Sequence, residues 1–318
     1  MSFILIHQDI TKMDVDTIVN AANTSLQMGG GVCGAIFKAA GVSELQAACD
    51  KLAPIQTGDA VITPGFKLPA KYIIHTAGPI YRDGKHGEER KLRSCYLNSL
   101  RRAVENDCKS IAFPLISSGI YGYPKDEALR VATEAIREFL EEHDLDVYLV
   151  IFDKATLVIS EKLLREVERY LSGTKISYLK EAVPIDRTET DDLIIRQDEP
   201  FFETLLRWMD EKGKTDVEVY KRANLDRTLF SKISTSKDYI PSKRTVIALA
   251  VALELSLDET NKLLKQAGYA LLPNQKFDMI VEYFIVNGKY DIYEINEVLF
   301  LYDQPILGVS DTDCVNVS

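Results

Sequence analysis

The spacing of hydrophobic and polar positions changes character along this chain. Over the first 180 residues, short β-branched or apolar runs recur at Phe3–His7, Asp16–Asn20, Asp59–Thr63, Lys71–Thr76, Ser110–Leu115 and Val147–Phe152. Between them apolar residues return every three or four positions. That spacing predicts helices over Val32–Gly41, Ser43–Ala53, Glu88–Asn106, Lys125–His143 and Lys154–Leu171. Strands alternating with helices of this length imply an α/β fold whose sheet is covered on both faces. The runs Ile111–Ile116 and Val147–Phe152 are apolar throughout, as strands buried on both sides should be.

Beyond residue 200 the period-two signal disappears. Helical spacing runs through Phe201–Lys212, Asp216–Ala223, Asp226–Ser234, Lys243–Leu255, Leu257–Ala267, Gln275–Asn287 and Ile292–Leu301. Breakers stand between these runs: Gly213, Asn224, the stretch 237–241 and Gly268. The predicted organisation is therefore an α/β domain over 1–180 and an all-α domain over 201–310. The stretch 181–200 holds seven acidic and two basic residues and two prolines, and reads as a linker. Residues 311–318 read as a frayed tail.

Composition narrows the function classes. The chain has 318 residues, so two domains are the default. No apolar run approaches the roughly 20 residues a membrane helix needs, and no secretory signal is visible at the start. Five cysteines, odd in number and without a CxxC pair, suit reduced thiols. A cytoplasmic location without membrane contact is expected. Four scattered histidines leave little for a zinc cluster, so neither metal nor cofactor is expected. A net charge of −10 argues against indiscriminate binding to nucleic acid, but not against a local basic face.

Two glycine-bearing segments fall where a strand ends and a helix begins. One runs from Asn20 through Gly29-Gly30-Gly31-Val32 to Phe37. The other is Ser117-Ser118-Gly119-Ile120-Tyr121-Gly122-Tyr123-Pro124. Glycine permits close approach of backbone to ligand, and free N–H groups at a helix start attract an anion. Two such loops at one sheet edge would clamp a diphosphate from both sides, the place where nucleotides favour open α/β sheets. Neither loop carries GxGxxG or GxxxxGK[ST].

The segments Gln8-Asp9-Ile10-Thr11, Asn20-Ala21-Ala22-Asn23, Gly29-Gly30-Gly31-Val32, His75-Thr76-Ala77-Gly78-Pro79 and Ser118-Gly119-Ile120-Tyr121-Gly122-Tyr123-Pro124 occur in order. With them, residues 1–175 resemble a macrodomain, in particular the type that hydrolyses ADP-ribose linkages. The resemblance implies a three-layer fold, a mixed sheet between helices, with ADP-ribose across its crest. It implies that Asp9 accepts from the adenine amino group and that Ile10 donates its backbone N–H to the ring. Phe152 packs on the adenine in this reading. Ser118, Gly119, Ile120 and Tyr121 hold the diphosphate through main-chain N–H groups, opposite Gly31 and Val32. Tyr121 covers the distal ribose and Asn23 bonds one of its hydroxyls. The reacting end then lies among Asn23, Gly30, Gly31, Cys33 and Tyr121.

The expected activity is hydrolysis of an ADP-ribosyl bond, as in O-acetyl-ADP-ribose deacetylation or mono-ADP-ribosyl removal. The hydrolase type usually follows its glycines and valine with an aspartate, and with a histidine four residues later. Here those places hold Cys33 and Phe37. A thiol is a poor acceptor for a water at neutral pH, and phenylalanine has no polar atom. Three routes stay open: the substrate's own diphosphate acts as base, Cys33 acts as a thiolate, or the domain only binds ADP-ribose.

Residues 201–270 resemble the helix-turn-helix domain of lambda-repressor-like regulators. Thr215 with Glu218 forms a capping-box pattern before the first motif helix. The second, Asp226 to Ser234, would face a major groove, with Leu229, Phe230 and Ile233 turned to the core. Arg227, Lys232, Ser234 and Lys243 are the candidate nucleic-acid contacts. Across 207–244 there are ten basic and six acidic residues, a basic region in an acidic protein. The expected partners are ADP-ribose or an ADP-ribosylated substrate, and DNA or a protein target for the helical domain. An ADP-ribose-sensing DNA-binding regulator without catalysis is the alternative.

Overall fold

A computed structural model describes residues 2–151, 161–180, 200–236 and 239–308. The chain divides into two compact units, Met1–Val158 and Ile159–Ser318. The first is an α/β unit with a mixed sheet between helices, as the sequence predicts. Its strands are β1 (Ser2–Ile6), β2 (Thr17–Ala22), β3 (Ala60–Pro64), β4 (Tyr72–Ala77), β5 (Ser110–Pro114) and β6 (Asp146–Val150). The sheet order is β1-β6-β5-β2-β4-β3. All neighbours pair parallel except β3, which runs antiparallel to β4 at the edge. Five strands therefore deliver their carboxyl ends to one rim, and the loops that follow them gather there.

Among the described residues, the helices of this unit are α1 (Gly31–Ala40), α2 (Val42–Cys49), α3 (Glu88–Glu105) and α4 (Lys125–Glu142). Residues from β2, β4 and β5 alternate between faces, and one set of them meets α1 and α2. Ile18, Ile73 and Ala112 pack there with Ile36, Phe37 and Leu45. On the α3 side the rings of Tyr96 and Phe113 lie 5.2 Å apart, and Tyr96 is fully buried. Burial of a large ring set of this kind is the main force that fixes the layers.

The second unit is helical: α5 (Glu161–Lys180), α6 (Phe201–Glu211), α7 (Asp216–Arg222), α8 (Arg227–Thr235), α9 (Lys243–Ala252), α10 (Leu257–Gln266), α11 (Lys276–Val286) and α12 (Ile292–Leu301). Helix α9 is buried along its length, as its apolar sequence requires. Capping boxes start α7 (Thr215 with Glu218) and α10 (Ser256 with Glu259). Helix α5 packs on α11: Tyr283 donates to Glu166 at 2.8 Å, and the Tyr170 and Tyr283 rings lie 5.5 Å apart. Residues 181–199 of the expected linker 181–200, the tail 311–318 and the start of the predicted helix Lys154–Leu171 lie outside the described residues.

Candidate functional site

The rim of the α/β unit carries two contiguous cavities. The first, about 530 Å³, is lined by Gln8, Asp9, Ile10, Ala35, Lys125 and Ile151 among others. The second, about 330 Å³, is lined by Asn23, Gly29, Gly30, Cys33, Ser117 and Tyr121 among others. Gly31, Val32, Leu115 and Gly119 line both. The two glycine-bearing loops thus face each other where the cavities meet.

The start of α1 explains why that junction suits an anion. Gly30 is its N-cap and supplies no side-chain acceptor. The first helical bond runs from Gly34 N–H to Gly30 O, so the N–H groups just before it have no helical partner. They combine with the positive end of the helix dipole. Gly31 sits at φ +58°, a region that favours glycine. Gly34 is fixed by close approach, since a Cβ there would lie 2.7 Å from Gly29 O. Opposite, Gly122 N–H donates to Gly119 O and Tyr123 N–H to Ser117 O, both at 3.0 Å, closing the second loop. Ile120, 81% exposed, reaches across it toward Gly30.

Residues 19–132 match the family model described as Macro domain. Macro domain-containing protein CT2219 of Chlorobaculum tepidum is 50% identical over 162 residues, which cover 46% of this chain and 94% of that protein. The O-acetyl-ADP-ribose deacetylase of Escherichia fergusonii is 48% identical over 164 residues, covering 50% of this chain and 92% of that protein. The chain belongs to the macrodomain family. Among solved structures, the Oceanobacillus iheyensis macrodomain with ADP is 42% identical, with a TM-score of 0.47, and the match covers 52% of this chain and 91% of that one.

Within the macrodomain, Asp9 caps a short 3-10 turn over Ile10–Lys12. Its Oδ1 accepts from Thr11 N at 3.0 Å and Thr11 Oγ1 at 2.7 Å. The Thr11 hydroxyl bond, more than the opposing desolvation, holds the Asp9 carboxyl below the usual carboxylate range. Both bonds use Oδ1, so capping and an acceptor role for Oδ2 coexist. Asn23 is held by its own loop: Oδ1 accepts from Ser25 Oγ and Gln27 N, and Nδ2 donates to Gln27 O at 2.8 Å. Cys33, 5% exposed, accepts from Gly29 N–H on Sγ at 3.4 Å. It ties the glycine loop to α1. Phe37 is core, edge-on to the ring of His75 at 6.5 Å. Phe152 lies outside the described residues. Lys125 and Ser117 also line the cavities; the sequence reading placed Ser117 in the second loop but gave neither residue a ligand contact. Lys125 follows Pro124 as an ordinary helix start, and nothing separates Ser117 from Ser118 in sequence.

One group of potential metal ligands occurs among the described residues: Asp83, His86 and Glu88, with ligand atoms within 4.8 Å of one another. Their oxygens accept backbone N–H groups of Lys85 (3.0 Å), His86 (2.6 Å) and Arg82 (3.3 Å), which closes their loop without an ion.

In the helical unit, Phe230 and Ile233 are buried and Leu229 half-buried. Arg227 and Lys232 are exposed on α8, and Lys232 Nζ stands 4.1 Å from the Tyr239 ring centroid. Ser234 donates to Ser231 O at 3.2 Å. Lys243 pairs at 2.6 Å with Asp278, whose side chain is 1% exposed, and so serves the fold. Of the four candidate contacts, Arg227 and Lys232 are exposed, Lys232 over a tyrosine ring, while Ser234 and Lys243 bond within the helical unit. No helix among the described residues is long and apolar enough to cross a membrane.

Proposed function

We propose that the macrodomain binds ADP-ribose and hydrolyses an ester at its distal ribose. One observation carries this reading: two cavities of unequal size meet at the uncapped start of α1. The larger cavity takes the adenine beside Asp9 and Ile10. The diphosphate lies on the N–H groups of 30–33 and of the loop 118–121. The distal ribose enters the smaller cavity, beside Asn23 and Tyr121. The similarity to proteins named O-acetyl-ADP-ribose deacetylase supports the reaction class.

The lining of the smaller cavity decides how such a reaction runs. Among the described residues it contains no carboxylate and no imidazole; its ionisable side chains there are Cys33 and Tyr121. The Cys33 sulfur already accepts a backbone N–H. The base is then the ligand's own diphosphate, held by the two loops. A water oxygen bonds to the acyl carbon as the diphosphate takes one of its protons, the bond from that carbon to the ribose oxygen breaks, that proton passes to the departing ribose oxygen, and the second is released to solvent as the acid ionises. The products are ADP-ribose and a carboxylate. The protein contributes position and fixed dipoles, which supply much of a rate enhancement.

Incubation of the full chain with O-acetyl-ADP-ribose, and with a protein mono-ADP-ribosylated on acidic side chains, tests this. Turnover is expected, and Gly30→Glu abolishes it by bringing a carboxylate to the helix start. Cys33→Ala changes kcat by less than about tenfold. Loss of turnover with intact binding in Cys33→Ala would reject the diphosphate as base.

A second reading concerns the helical unit. The exposed face of α8 presents Arg227, Thr228, Ser231, Lys232 and Thr235, with no acid among them. That composition suits phosphate oxygens and base edges. In this reading the helical unit directs the macrodomain to nucleic acid. Tight ADP-ribose binding without turnover would make the whole a sensor.

A further inference from the structure

The second glycine-bearing loop begins in a strained shape. Ser117 holds φ +64°, a conformation costly for a residue with a Cβ, and such strain persists only where the surroundings over-determine it. Bonds within the loop, such as Tyr123 N–H to Ser117 O at 3.0 Å, close it. Two further ties lead out of it, and both end on α3.

The first tie is direct. Tyr96, fully buried on α3, accepts the Ile116 N–H on its hydroxyl at 3.1 Å, and its ring rests against Phe113. The loop is fixed there at its root. The second tie is relayed. Glu88 opens α3, about two turns before Tyr96. It is only 2% exposed, and a carboxylate is costly to bury unless hydrogen bonds satisfy it. Here Oε2 accepts from His86 N at 2.6 Å and Oε1 from Arg82 N at 3.3 Å. Burial pushes this carboxyl up, but the backbone N–H groups of Glu88 itself, His86 and Arg82 outweigh it and hold it below the usual range. The ionised side chain thus closes the segment 82–88 on itself. Tyr81, next to that segment, donates its N–H to Tyr121 O at 2.9 Å and packs its ring 4.8 Å from that of Tyr123.

We propose that Glu88 is a positioning residue for the loop 117–123. It lines neither cavity and acts through the chain. By closing 82–88 it holds Tyr81 against Tyr121 and Tyr123, while Tyr96 pins the root of the same loop. One helix outside the cavities therefore sets where the N–H groups of 118–121 point. The proposal rests on the reading that those N–H groups hold the ligand's diphosphate.

Hydrogen exchange and calorimetry on the full chain test this, with the wild type, Glu88→Gln and Tyr96→Phe. Glutamine keeps the shape but replaces one acceptor oxygen by an amide nitrogen, and phenylalanine removes only the hydroxyl. Each variant is expected to speed exchange of the 118–123 amides by about tenfold, with the amides of α4 and β6 within about twofold of wild type. ADP-ribose is expected to bind about tenfold more weakly, and AMP, which keeps the adenine but only one phosphate, less than about threefold more weakly. Unchanged exchange over 118–123 overturns the proposal. A rise spread over the whole α/β unit also overturns it, because that is what a merely structural role produces. Faster exchange of the loop with unaltered ADP-ribose affinity overturns it as well. Tyr96→Phe supplies the answer if Glu88→Gln does not fold. Wild-type protein that binds no ADP-ribose refutes the diphosphate reading and the positioning role with it, whereas a failure confined to the variants refutes the positioning role alone.

Discussion

His75 lies in β4 with no exposed surface, and burial brings its pKa down to about 4 from 6.5. Its neighbours accommodate a neutral ring. Asn20 Nδ2 can only donate, so Nδ1 accepts at 3.0 Å, and Nε2–H is left for Thr63 Oγ1 at 2.9 Å. The unfolded chain protonates this imidazole near 6.5, whereas the folded chain resists until about 4. Between those values the unfolded state binds more protons, so stability falls as pH falls. The loss across the window is about 3 kcal/mol. Denaturant unfolding at pH 7 and pH 4.5 should show this slope, and His75→Gln should remove that share of it. An equal slope in both proteins rejects the assignment. Asp9, Asn23 and Tyr121 were named from ordered motifs, and they line the cavities. Ser117 was not, because an unpaired hydroxyl is a property of its surroundings.

Secondary-structure elements followed the chain's periodicity closely. All six strand runs of the α/β part and all seven helices beyond residue 200 exist. The Thr215–Glu218 capping box was readable because its two bonds span three residues. The 3-10 turn after Asp9 was not, since three residues carry no period. The start of α1 is the element on which the site depends. A methyl at Gly34 would meet the Gly29 carbonyl at 2.7 Å, while one at Gly119 would meet nothing within 4 Å. Gly34→Ala should therefore cost about 1–3 kcal/mol in denaturant unfolding and weaken ADP-ribose binding. Gly119→Ala should leave stability within about 0.5 kcal/mol of wild type. The opposite ranking would mean that the glycine loop is not anchored on α1.

The whole molecule carries a net charge of −10, yet α8 turns a basic, hydroxyl-rich face outward. If that face meets nucleic acid, affinity of the full chain falls steeply with salt. Arg227→Ala should lower the slope of log K against log salt by about 1, and Lys243→Ala should act through stability instead. Binding insensitive to salt would remove the phosphate contact. The sequence by itself determined the order of strands and helices and the places of the glycine loops. Those follow from local periodicity and backbone freedom, which need no distant partner. Only tertiary structure decided that two loops about 90 residues apart share one pair of cavities. It also drew Lys243 to a buried carboxylate, placed the Cys33 sulfur on a backbone N–H and left the Ser117 hydroxyl buried without a partner. Each of these depends on which groups meet across the sheet rim or between helices, and residue spacing along a chain does not encode that meeting.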